Sequence, residues 1–228
     1  KKLVKVVYEE TFYRMGWMLT ANVGVAGKWG LVAPDLVTAA INKPYSGLKL
    51  EQVLNRALGA ARLDIERAVI QGMVQGDSYP NMAKRVRGAF ETNTQRALTI
   101  AQTEGHRAQI AGQKASYDRA AEMGIQVQQV WDATLDGRTR ESHQQMDGKI
   151  AQDRDGEWMF YMPSIGAWVA GPGLTGVARE DINCRCALTP VIKGYEPGSR
   201  IARDRTERNV IVRGDMKYPE WAEAMGVK

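Results

Sequence analysis

An α+β fold is predicted for this 228-residue chain. Three observations predict it: long helical rhythms before Gly124, short alternating runs after it, and Gly/Pro-rich turns between those runs. The expected organisation is a helical region over 1–124 containing a long helix, then a small mixed core over 125–193 packed on helix 94–123. That core is read as a small antiparallel sheet with long Gly/Pro loops. An extended C-terminal arm ending in a docking helix, 194–228, completes the chain. With 44% hydrophobic residues the chain buries a sizeable core.

The elements follow in order. From Leu3 to Ala21 the apolar residues Leu3, Val4, Val7, Phe12, Met15 and Leu19 keep a loose helical rhythm. Residues 22–30 hold three glycines and Trp29, so they read as a loop that either clasps a neighbour or folds back on its own core. Pro34 suits the first turn of a short helix over 35–42, which Pro44 ends. Leu50, Leu54, Leu58, Ala61, Ile65 and Val69 recur at threes and fours, an amphipathic helix stopped by Gly76. Ser78 with Pro80 marks the next helix start, with Met82, Val86 and Phe90 as its buried stripe. Thr94 to Met123 is the longest helix candidate, closed by Gly124. Its face carries Ala97, Ala101, Ala108, Ala111 and Ala115, small side chains that admit a neighbouring helix, and Glu104 shares that face.

After Gly124 the period becomes two. Ile125, Val127, Gln129 and Trp131 alternate with Gln126, Gln128 and Val130; Trp158, Phe160 and Met162 repeat the pattern, and 186–192 is the third strand. Ser164 to Gly176 reads as a long loop, with Trp168 either plugging the core or meeting a partner. The tail alternates basic and acidic residues and offers little to a core, so it reads as an arm that docks through Trp221 on its own body or on another subunit.

The costly side chains gather between Trp131 and Cys186. If residues 137–147 form a helix, Asp136, Arg140, His143 and Asp147 lie on one stripe. Cys184 and Cys186 flank a single residue, so in an extended segment both thiols point to one side, with Cα atoms about 6.5 to 7 Å apart. That separation suits two ligands better than a disulfide. A zinc ion would draw on His143, Cys184, Cys186 and either His106 or Asp147. The alternative is no cofactor, with two thiols buried as small apolar groups and a histidine in a hydrogen-bond network. Glu104, on a face that packs closely, needs a partner, which Arg107, Arg138 or Arg140 supplies.

The order TE at Thr103 and Glu104, a tryptophan strand, DGRTRESH, MDG, a Pro-Gly loop and NCRC resembles the phage Mu F-like minor head protein family, over roughly Val74 to Pro190. The resemblance implies a virion component of a tailed bacteriophage, present near the portal and active in head morphogenesis, with no catalysis of its own. It implies portal protein and other head or capsid proteins as partners, and assembly in the bacterial host cytoplasm. In this reading Glu104, Asp136, Arg138, Arg140, His143, Cys184 and Cys186 form a structural knot, with Glu104 riveting the two halves. The competing class is a phosphodiesterase or transferase enzyme using Asp136, Arg140 and His143, since a histidine with an acid and arginines handles phosphate esters. No Walker loop or nucleophile elbow accompanies it.

Lys and Arg total 31 against 26 acids, a net charge of +5. That permits sequence-independent contact with double-stranded DNA through Arg200, Arg203, Arg205, Arg208 and Arg213 on the tail, without base reading. Two cysteines and ten methionines in the chain fit a reducing compartment. No apolar run is long enough to span a membrane. Lys1 is not an initiator methionine, so further residues are expected before it.

Overall fold

The computed structural model describes residues 2–23, 34–35, 38–39, 50–192 and 198–226. The loop around Trp29 and most of the short helix after Pro34 lie outside the described residues.

The long helices among the described residues of the first half are α1 (Lys2–Val23), α2 (Leu50–Val74) and α3 (Tyr79–Glu122). The two helices expected over the third stretch are one helix of 44 residues. Nothing between Phe90 and Thr94 interrupts it: Thr92, Asn93 and Thr94 each bond back to the carbonyl four residues earlier, so their polar side chains reinforce the turn rather than end it. The helix ends where Gly124 takes a φ of +81° and Ile125 N–H returns to the Ala120 carbonyl.

Tyr8 and Phe12 of α1 bury against Ala108, Ala111 and Ala115 of α3. The crossing is closest at Gly112, where a Cβ would stand 2.5 Å from the Tyr8 carbonyl oxygen. The expected stripe of α2 is only partly covered. Leu54 and Leu58 are exposed, lining a groove between α2 and α3 with Phe90, Ala97 and Ile100.

The second half is built on β1 (Gln128–Asp132), α4 (Glu141–Gln144), β2 (Gln152–Arg154), β3 (Glu157–Met162), β4 (Ala167–Val169), α5 (Ala178–Asp181) and β5 (Ala187–Val191). β1 and β5 pair antiparallel with Trp131 opposite Leu188, and β2, β3 and β4 form an antiparallel meander. The alternation read from sequence holds: Ile125, Val127, Gln129 and Trp131 are buried. Ser164–Gly176 is not loop throughout, because the turn at Gly166 (φ +63°) sends Ala167–Val169 back along β3. Trp168 neither plugs the core nor stands free; it lies half-buried on Tyr161 of β3 and under the Arg154 guanidinium. The two halves share one core, in which Leu19, Ile110 and Tyr117 from the helices meet Trp131, Phe160, Met162 and Leu188.

The tail is not an extended arm. It folds into an antiparallel hairpin, β6 (Ser199–Arg203) with β7 (Asn209–Arg213), followed by α6 (Tyr218–Met225). Leu135, Ala202, Tyr218 and Trp221 close over one another as a satellite core, and Arg203 N–H donates to the Leu135 carbonyl. Trp221 is therefore buried on its own body and is withdrawn as a partner contact. The few apolar residues of the tail suffice because Leu135 supplies the surface they cover.

Candidate functional site

The segment 136–147 is mostly turn, with only Glu141–Gln144 helical. Asp136 Oδ1 accepts the Arg138 N–H at 3.0 Å, an Asx turn that starts it. Because the helix is so short, the expected stripe splits into two clusters.

In the first cluster Asp136, fully buried, holds the Arg185 guanidinium, with Nη2 2.8 Å from Oδ1. Arg185 alternates with Cys184 and Cys186 in the extended NCRC segment, so it points away from the thiols and toward Asp136. Burial alone would raise the Asp136 pKa, but the Arg185 pairing, the Arg138 N–H and Thr139 outweigh it and hold the carboxyl below its ordinary value. Arg138 flanks the pair, 3.8 Å from Asp136 and 3.5 Å from Glu207. Arg140 donates to the carbonyls of Glu180 and Ile182, tying α4 to α5.

In the second cluster Asp147 turns toward the tail. Its oxygens accept from Ala133 N–H at 2.9 Å and Tyr218 N–H at 2.7 Å, and Arg200 Nη2 stands 3.2 Å away. Arg200 also pairs with Asp132, whose pKa burial raises in spite of that pairing. Asp147 is thereby removed from the candidate zinc ligands, and Arg200 from the DNA-facing set. The other four tail arginines are also engaged: Arg203 with Glu207, Arg205 with the Met225 and Gly226 carbonyls, Arg208 with Asp204, and Arg213 with Asp215 and Glu220.

Glu104 does not join the knot as expected. Arg107 on its own helix donates to both carboxylate oxygens at 3.0 Å, in place of Arg138 or Arg140. The bonds between the halves come from its neighbours on α3. Thr103 Oγ1 accepts from Asn183 N–H at 3.3 Å, Lys114 donates to the Trp158 carbonyl at 2.5 Å, and Tyr117 donates to the Leu188 carbonyl at 3.1 Å.

His143, Cys184 and Cys186 do come together. The three are buried, and their ligand atoms lie within 4.8 Å of one another. His143 Nδ1 faces Cys186 Sγ at 3.2 Å and Cys184 Sγ at 3.7 Å, while its ring meets Trp131 edge-on at 5.8 Å. The hydrogen bond between the two thiols splits their behaviour. That bond, with burial, pushes the Cys184 thiol up; it also draws Cys186 well below the usual thiol value, against burial and with help from His143.

Two acids that the sequence reading passed over complete the surroundings. Glu180 is buried with Oε2 3.2 Å from His143 Nε2, near enough for charge attraction though out of line for a hydrogen bond, and it accepts from Ser142 Oγ at 2.8 Å. Asp181 gathers the Gly/Pro loop by accepting from Thr175 N–H and Gly176 N–H, both at 2.9 Å. Their signal in the sequence is the acidic pair directly upstream of NCRC. A cavity of about 980 Å³ is lined by His143, Cys184 and Cys186 together with Gln102, His106 and Gln109 of α3.

The family described as Phage Mu protein F like protein matches residues 63–189. Across 220 residues, 96% of this chain and 70% of the relative, the sequence is 32% identical to Minor head protein GP7 of Bacillus phage SPP1. It is 30% identical over 213 residues to NAD(+)--arginine ADP-ribosyltransferase EFV of Enterococcus faecalis, covering 93% of this chain but 42% of that protein. An uncharacterized protein of Haemophilus influenzae is 30% identical over 132 residues, 58% of this chain and 25% of that one. No solved structure matches significantly.

Proposed function

The chain belongs to the Phage Mu protein F like family, and from that premise we propose that it is a non-enzymatic structural protein of a tailed-phage head, built into the virion during head morphogenesis. The observation that carries this reading is the 32% identity to a minor head protein along 96% of the chain. The similarity to an ADP-ribosyltransferase covers 42% of that protein, leaving more than half of its length without a counterpart in this chain.

The site geometry supports the same side. An enzyme using Asp136, Arg140 and His143 would bring all three to one opening. Arg140 and His143 do line one cavity, but Asp136 is buried away from it against Arg185, and Arg140 is committed to two backbone carbonyls and His143 to the thiols. These groups hold chain segments to one another.

Portal and other head or capsid proteins are the partners in this reading, met through the helical half. There Leu58, Met73, Tyr79 and Phe90 are 69, 66, 88 and 56% exposed among the described residues, more apolar surface than a helix pair leaves open without a use. Assembly takes place in the host cytoplasm, and no described helix is long and apolar enough to cross a membrane. Contact with double-stranded DNA ranks below protein contact, because phosphates would have to displace the ion pairs that already occupy the hairpin arginines.

The test is co-expression with the portal and major capsid proteins of the same phage, followed by gradient sedimentation. The chain is expected to travel with the portal or head particle, and the double change Leu58→Asp with Phe90→Asp to release it while leaving the fold intact. Cleavage of nucleic acid or modification of a nucleotide by the purified chain, lost in His143→Ala, would replace this reading with the enzymatic one.

A further inference from the structure

We propose that the chain binds one structural zinc ion through Cys184 Sγ, Cys186 Sγ, His143 Nδ1 and His106 Nε2. The inference stands apart from the head-protein reading and does not need it.

Three ligand atoms are already converged. A tetrahedral zinc ion with its usual bond lengths sets sulfur and nitrogen ligands about 3.6 Å apart. The two Nδ1–Sγ separations, 3.2 and 3.7 Å, bracket that value. Hydrogen bonding accounts for the arrangement less well. A bond from Nδ1 to Cys186 and another between the thiols would hold both sulfurs, but Nδ1 carries either one lone pair or one proton, so the 3.7 Å approach of Cys184 Sγ to the same nitrogen is left unused. A cation placed among the three satisfies them together.

The second observation is independent of the sulfurs. Six buried side-chain polar atoms have no hydrogen-bond partner among the described residues, and three of them, His106 Nε2, His143 Nε2 and Trp131 Nε1, belong to residues around this one cluster. Native structures leave few such atoms, and a cluster of them calls for an explanation. Zinc accounts directly for the first and sets up partners for the other two. His106 Nε2 becomes the fourth ligand; His106 borders the same cavity as His143 and both cysteines. Its Nε2 is outside the 4.8 Å group, so coordination draws the ring inward from α3. Gly173 packs against that ring, where a Cβ would stand 2.7 Å from its Cδ2. The Trp131 indole N–H, on the ring that meets His143 edge-on, is a donor available beside the cluster once the sulfurs are thiolates. His143 Nε2 stands 3.2 Å from Glu180 Oε2, out of line for a hydrogen bond as the site stands; a small turn of the carboxylate would make it the acceptor that holds the proton on Nε2 and leaves Nδ1 free for the metal.

Two thiolates and two imidazoles form the borderline-soft set that selects zinc over magnesium or calcium. Binding releases the thiol protons to solvent and involves no redox step. Since His106 sits on α3 and the other three ligands on the mixed half, the ion would pin one half to the other.

The experiment uses the whole reduced chain, purified without added metal. Elemental analysis is expected to find about one zinc per chain, and a chelator to lower the melting temperature. Titrating the metal-free protein with cobalt(II) should give the thiolate-to-cobalt charge-transfer band and the visible absorption of a tetrahedral site. Glu180→Gln is expected to keep the cobalt spectrum while weakening zinc retention about 10- to 100-fold. His106→Gln should alter the visible cobalt bands but leave the charge-transfer band. Folded wild-type protein that retains no zinc and develops no charge-transfer band with cobalt(II) would overturn the proposal. An unchanged visible spectrum in His106→Gln would overturn the assignment of the fourth ligand.

Discussion

Arg200, on the first strand of the C-terminal hairpin, sets its guanidinium 3.2 Å from the carboxylate of Asp147, at the end of the turn that follows α4. The side chains are 11% and 1% exposed, and the same guanidinium serves Asp132 and the carbonyls of Ala133 and Met216. Arg200→Met would leave two carboxylates without their cation, a loss of about 3 to 5 kcal/mol. Arg200→Lys should recover little, because one ammonium cannot span four acceptors in a planar fork. Chemical denaturation of the purified variants checks this. A loss below about 1 kcal/mol would mean that the tail adds nothing to the body it covers.

The crossing of α1 over α3 rests on Gly112, so Gly112→Ala places a methyl group against the Tyr8 carbonyl and forces the helices apart. We expect a loss of about 1 to 3 kcal/mol. Gly88 lies on the same helix with nothing within 4 Å of a built Cβ, and there the change to Ala should stabilise by roughly 0.5 to 1 kcal/mol through helix propensity. Thermal melts of the two variants should therefore move in opposite directions; equal shifts would remove the crossing argument.

Asp136 gives an acid-side pH dependence whose sign follows from its lowered pKa. A carboxyl with a lower pKa in the folded chain binds fewer protons there than when unfolded. Its stabilisation is present above the unfolded value near ~3.9 and is lost as pH falls toward the folded value. Asp132, raised by burial, works in the opposite sense and favours the fold as pH falls. Asp136→Asn should thus lower stability at neutral pH and flatten its decline between about pH 5 and about pH 2. An unchanged slope in melting temperature would show that Arg185 does not hold this group ionised.

How much was legible in the sequence divides along the range of the interactions. Hydrophobic period is local, so α1, α2, the end of α3 at Gly124, the alternation of Ile125 to Trp131 and the strand before Met162 could all be read from residue types alone. The sequence also determined the α+β class, the family, and the candidacy of His143, Cys184 and Cys186, because side chains that are expensive to bury stand out wherever they cluster. Partner choice was decided only in three dimensions. Asp136 and Asp147, eleven positions apart and expected on one stripe, face different clusters because α4 is a single turn. Arg185 and Glu180, which anchor the knot, stand beside the cysteines in sequence, but that Arg185 would meet Asp136 and Glu180 would meet His143 was set only by the folded turn, as was the choice of Arg107 for Glu104 among its three candidate arginines. The tail is the sharpest case. Its composition lacks a core because its core is completed by Leu135 from another segment, and no window of sequence contains both sides of a contact between distant segments.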